Sequence, residues 1–289
     1  MASLPMIGAF MNLSDLNKSF ASAESTDKMP VLFVGHGSPT NALESNEFTK
    51  GWHNSVSGID KPKAILCISA HWETKGTMIT CNPKPRTIHD FGGFARELYE
   101  IYYPADGNPD LAKEIAQKNA ESKINLDLNW GLDHGCWVPI MKMYPDADIP
   151  TLQLSLDYTL STSQHYSLGK SLAYLRSKGI LIVASGNMVH NLGMIDVRDW
   201  NDINREHGYD WALEMNEIFK KKILEQDHKS LIEYESLGKA ARLAIPTSEH
   251  YLPLIYALAM QDLDERVEFF NDKAVAGSLS MTSVIIGKI

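Results

Sequence analysis

The sequence predicts a single α/β domain with a central, mostly parallel sheet flanked by helices. Three observations predict it. "AILCIS" at 64–69 and "ILIVAS" at 180–185 are unbroken apolar runs, the pattern of strands covered on both faces. Short β-branched runs alternate with longer helical patterns, as in a sheet with helices packed on either side. No linker-like stretch follows residue 30.

In chain order, strands are expected at 31–34, 64–69, 77–80, 151–155, 180–185, 266–270 and 283–286. Helices are expected at 46–56, 109–122, 135–143, 163–177, 202–226 and 249–260. Asn108-Pro109 puts a capping side chain before a proline at the first helical position. Gly179 follows "AYLRSK" as a helix stop with basic residues in the last turn. Thr247 or Ser248 is placed to cap the helix that carries His250 in its first turn.

The chain of 289 residues carries a net charge of −9 and is 44% hydrophobic, enough for a large core. The acidic balance, with no basic run, argues against nucleic-acid binding. No apolar stretch approaches the ~20 residues that span a membrane. Cys67, Cys81 and Cys136 lack CxxC spacing, which suits a reducing compartment, the cytoplasm. Residues 3–13 are apolar, but no Lys or Arg precedes them. Residues 1–28 are therefore read as an arm outside the main fold rather than a secretory signal, and 29–289 as the main domain.

The ten histidines separate by context. His36 follows "VLFVG", His71 follows "AILCISA", and His190 follows "ILIVASGNMV". Ligands of open α/β sheets bind beyond the carboxyl ends of strands, so the three imidazoles are expected on one rim. Imidazole suits Zn, Fe, Ni and Cu, and three of them in one setting point to a metal. Each alone also reads as a polar cap on a strand. Gly35 and Gly37 are read as keeping the approach to His36 open. His250, in "SEHYLPL", reads equally as a ligand or as an exposed helix-start residue. His134, bracketed by Gly131 and Gly135 in "GLDHGCW", suits a general acid–base group or a packed loop residue. His89 in "TIHDFGGF" is left between a loop and a pocket role, and His53, His165, His207 and His228 go to surface or packing. A Cys136 nucleophile working with His134 is disfavoured, because side chains so close in sequence usually diverge. Phosphate-loop, dinucleotide and serine-hydrolase signatures are absent.

"GHGSP", "SAHW", "GLDHGCW", "SGNMVHNL" and "SEHYLPL", in that order, resemble the class III extradiol ring-cleaving dioxygenases, in their DOPA 4,5-dioxygenase-like branch. The resemblance covers nearly all of residues 29–289. It implies an α/β fold with one divalent metal per chain, and a reaction that adds O2 to a catechol and cuts the ring beside the hydroxyls. It implies that His36 and His71 ligate the metal, that His190 and His250 complete or flank the site, and that His134 is the acid–base group. The partners it implies are a small aromatic substrate and O2. The candidate ligands are all histidine, whereas iron oxygenases usually pair two histidines with a carboxylate. Glu249, Asp133 and Asp157 are the candidate carboxylates. Zinc also fits three histidines, so zinc is expected as the bound ion and Fe(II) for the oxygen chemistry. Two other readings use the same histidines: a zinc hydrolase or lyase that activates water, and a non-catalytic metal- or tetrapyrrole-binding module.

Overall fold

A computed structural model describes residues 28–198 and 202–287. Apart from Lys28, the expected N-terminal arm lies outside the described residues, as do the last two residues of the expected main domain. Among the described residues the strands are β1 (Val31–Gly35), β2 (Ala64–Thr74), β3 (Met78–Thr80), β4 (Asn125–Asp127), β5 (Thr151–Asp157), β6 (Ile180–Gly186), β7 (Val267–Phe270), β8 (Ala274–Val275), β9 (Leu279–Ser280) and β10 (Ser283–Ile286). The main sheet has the order β4-β3-β5-β2-β6-β1-β10-β7, and β8 pairs with β9 beside it. Its centre, β5-β2-β6-β1, is parallel, and β10 and β7 add antiparallel to one edge.

The helices are α1 (Glu47–Asn54), α2 (Arg96–Tyr99), α3 (Pro109–Lys118), α4 (His134–Met143), α5 (Thr162–Leu172), α6 (Asp210–Leu224), α7 (His228–Ile232), α8 (Lys239–Ala244) and α9 (Leu252–Ala259). The apolar runs are unbroken because each central strand is buried twice. Phe33, Leu66 and Ile182 pack on one face with Leu172 of α5, Phe219 of α6 and Leu254 of α9. Leu32, Ile65 and Val183 pack on the other with Trp52 of α1 and Trp137 of α4. Alternate side chains of a strand point to opposite faces, so a doubly covered strand must be apolar throughout.

Local signals set several helix starts. Asn46 and Thr49 form a reciprocal capping box at α1, and Ser161 and Gln164 form one at α5. Asn108 accepts from Leu111 N–H ahead of Pro109. Three expectations shift. The helix expected at 202–226 begins only at Asp210, because Glu206 and Gly208 are drawn into bridges with Val275 and Gly277. The helix expected at 109–122 stops at Lys118, and a 3-10 turn follows. His250 lies in a turn ahead of α9, where the Tyr251 and Leu252 N–H groups donate to the Ser248 carbonyl; no side chain caps α9.

The glycines around His36 also differ from expectation. A Cβ at Gly35 would stand 2.6 Å from the Met281 backbone, and Gly37 turns the chain at φ +59°. They let β1 pass the chain leading into β10 and then turn; they do not clear a path to the imidazole.

Candidate metal centre

The rim where β1, β2 and β6 end gathers the histidines. His36 follows β1 directly, and its N–H donates to Gly186 O at the end of β6. Pairing between β2 and β5 slips between Ile68 and Glu73, and the displaced stretch carries His71. The His250 segment crosses the end of β6, where Asn187 N–H donates to His250 O at 2.8 Å. A Cβ at Gly186 would lie 2.1 Å from that carbonyl, so glycine is what lets the two backbones meet. Asp133 caps α4 through Cys136 N–H and sets His134 at the helix start.

One ring nitrogen each of His36, His71 and His250 lies within 4.8 Å of the others. His36 Nε2 and His71 Nε2 are 3.0 Å apart. His36 Nδ1 meets Ser185 Oγ at 3.0 Å, and His250 Nδ1 meets Glu249 Oε1 at 3.0 Å. His250 Nε2 is buried with no hydrogen-bond partner. His190, expected in the same convergence, groups instead with Glu249 and His250. Its ring stacks on His250 at 3.4 Å, and its N–H is held by Ala244 O.

Burial sets the electrostatics. Desolvation, then the charges the neighbouring histidines would carry, holds His36 and His71 well below the usual imidazole range. Burial, then the facing His250, brings His190 down to about 3. His250 is also lowered by burial, against the pull of Glu249. Burial opposes ionisation of Glu249, but the bond to His250 carries its carboxyl down to about 2. The rings are neutral with free lone pairs, the form that binds a metal. Three neutral imidazoles, one with an orphaned buried nitrogen, fit a divalent ion.

His134 sits at the edge of this cluster, its ring 3.9 Å from that of His71. Its Nδ1 lies 2.9 Å from Asp90 Oδ2, and its backbone N–H donates to Asp90 Oδ1 at 2.8 Å. Phe91 stands edge-on to it at 5.6 Å. Beneath α4, fully buried Asp133 accepts from Ser69 Oγ at 2.7 Å and from Gln153 Nε2. Burial, then the charge of Asp90, pushes the Asp133 carboxyl up to about 6.

Other candidates fall away from the centre. Asp157 holds Thr159, and His89 is spent on Ile101 O while packing on Trp137. His165 is buried against Tyr256, and His53, His207 and His228 bond Lys142 O, Asp196 and Tyr166. Cys136 is fully buried, and that burial pushes its thiol well up, away from nucleophile chemistry. The sequence reading missed Asp90, Ser69, Gln153, Ser185 and Phe91. Asp90 lies in the glycine-containing "HDFGGF" loop, next to His89. A cavity of about 750 Å³ at the opposite pole, lined by Lys28, Lys63, Gly179 and Arg266 among others, contains none of these site residues.

The family model described as the catalytic LigB subunit of aromatic ring-opening dioxygenase matches residues 29–286. A 4,5-DOPA dioxygenase extradiol of Escherichia coli (strain K12) is 43% identical over 267 residues, 91% of this chain and 96% of its own. A 4,5-DOPA dioxygenase extradiol of Beta vulgaris is 35% identical over 261 residues, 88% of this chain and 94% of its own. The crystal structure of an uncharacterized Escherichia coli K12 protein matches with a TM-score of 0.78 at 39% identity, over 90% of this chain and 100% of that one. The chain belongs to the LigB family of extradiol dioxygenases and is an aromatic ring-opening enzyme.

Proposed function

We propose that this enzyme adds O2 to DOPA or a related small catechol and opens the ring beside the two hydroxyls. The substrate class is supported by the two relatives whose names specify 4,5-DOPA. The observation that carries the reading is the trio His36, His71 and His250, with its orphaned nitrogen, beside His134.

His36, His71 and His250 are the ligands of one divalent metal, each through Nε2. Ser185 and Glu249 engage Nδ1 of His36 and His250, which leaves the other nitrogen directed at the centre. His190, expected as a further ligand, is assigned to the ring stacked behind His250. Fe(II), when bound, supplies the redox chemistry with O2 that zinc lacks. His134 accepts a proton from a catechol hydroxyl and returns it later in the cycle. Phe91 offers an aromatic edge beside His134 for the substrate ring. Residues 29–289 form the catalytic unit. Its three cysteines are free and buried, which suits the reducing cytoplasm.

The test is anaerobic loading of metal-free protein with Fe(II), followed by O2 uptake with a panel of catechols. Ring opening of DOPA is the expected result. His36→Ala and His71→Ala should each lose stoichiometric metal by elemental analysis, and full metal content in both would end the ligand assignment.

A further inference from the structure

Asp90 lies on the loop between Thr87 and α2, not on the rim of strand ends. Its carboxylate nevertheless binds one site histidine, His134, and stands near a second, His71. Oδ2 is 2.9 Å from His134 Nδ1 and 3.5 Å from His71 Nδ1. Oδ1 accepts the His134 backbone N–H at 2.8 Å. The loop is strapped in place from several sides. Trp137 Nε1 donates to Ile88 O at 2.9 Å, Ile88 N–H donates to Leu132 O at 2.7 Å, and His89 Nε2 meets Ile101 O at 3.0 Å. Phe91, the next residue, packs on Tyr99 and Phe94. The Asp90 side chain is 17% exposed, so little water competes for its oxygens.

A neutral imidazole carries one proton, and the partner of one nitrogen decides which nitrogen holds it. A carboxylate accepts and does not donate. Facing Nδ1 of His134 at hydrogen-bond distance, it places the proton on Nδ1 and leaves Nε2 of that ring bare. For His134, the bare Nε2 becomes the basic atom. Building on the proposed role of His134, we infer that Asp90 is a positioning residue that sets the tautomer of the His134 ring and readies it for proton transfer.

A structural role for Asp90 would be the bond from Oδ1 to the first N–H of α4, which supports a helix start. Asp90→Asn separates the two. An asparagine keeps that bond through its amide oxygen. It then turns its NH2 towards His134 Nδ1, which must accept, so the ring proton moves to Nε2.

The experiment uses ¹⁵N-histidine-labelled protein and long-range proton–nitrogen correlation spectra near pH 8, without metal and again with zinc. The wild-type chain should show His134 protonated on Nδ1, and Asp90→Asn should show it on Nε2. Metal content should be unchanged in Asp90→Asn. With Fe(II) and DOPA, its kcat should fall by about 10²–10⁴-fold, the range for a lost or mispoised acid–base group, while KM moves less than about threefold. Asp90→Glu should recover part of kcat. Wild-type His134 protonated on Nε2 overturns the inference without recourse to any variant, and so does Asp90→Asn with unchanged tautomer and turnover. Loss of metal in Asp90→Asn would make Asp90 a ligand, which also overturns it. Failure of wild type to open catechols would instead count against the proposed reaction, since the tautomer spectra do not depend on turnover.

Discussion

At the scale of residues, the site depends on contacts that only glycine permits. A Cβ at Gly135 would stand 2.5 Å from Ser69 Oγ and 2.9 Å from His71 Cδ2, so the first turn of α4 lies directly against the strand that carries His71. The His134 ring stands 3.9 Å from that of His71, and the proposed assignment places it beside the ligands rather than among them. That predicts two different mutational signatures. His134→Ala should retain full metal, because no coordinating atom is lost, while turnover falls by about 10²–10⁴-fold. His134→Gln keeps some hydrogen bonding but shuttles no proton, and should stay nearly as impaired. Metal content and catechol cleavage measured on one batch check this. Lost metal would make His134 a ligand, and full turnover would make it a packed loop histidine.

At the scale of elements, α5 and α9 pack so closely that a Cβ on Gly169 would lie 2.9 Å from that of Ala259. His165 of α5 is sealed in this contact, with Nδ1 3.0 Å from Tyr256 Oη and Nε2 without a partner. Burial brings its pKa down to about 4. The unfolded chain returns it to ~6.5, so between these values the unfolded state binds the extra proton. The neutral-ring contribution is complete above ~6.5 and is lost as pH falls towards 4. By pH 4 the loss should reach about 3 kcal/mol. His165→Leu should flatten this acid dependence in urea titrations run from pH 7.5 to 4 and compared with wild type. Parallel curves for the two proteins would refute it.

At the scale of the whole molecule, one centre ties together distant parts of the chain: β1, the displaced stretch of β2 and the turn before α9. A ligand that binds only this folded arrangement stabilises all of it. Metal at 100 times its Kd should add about 2.7 kcal/mol, and for a domain of this size that raises Tm by roughly 5 °C. Chelation should reverse the gain, and His36→Ala should show none. Scanning calorimetry with and without metal measures it, and an unchanged Tm in wild type would remove the ion from the fold's energetics. A chain with a net charge of −9 also favours cation uptake at long range.

The sequence by itself determined the layers of the fold and most of its central strands. Runs such as "ILIVAS" are apolar at every position because helices cover both faces, and that pattern needs no knowledge of topology. It also marked His36, His71, His250 and His134, because a histidine at a strand end, at a helix start or bracketed by glycines is a local signal. Only the tertiary structure decided how these residues meet. His190 and His36 follow neighbouring strands, yet the chain after β6 bends His190 onto His250 instead of towards His36 and His71. Asp90 is 44 positions from His134 and carries no periodic or spacing signal. Its role arises where a strapped loop meets a helix start, and pair distances of that kind are set by packing across the fold.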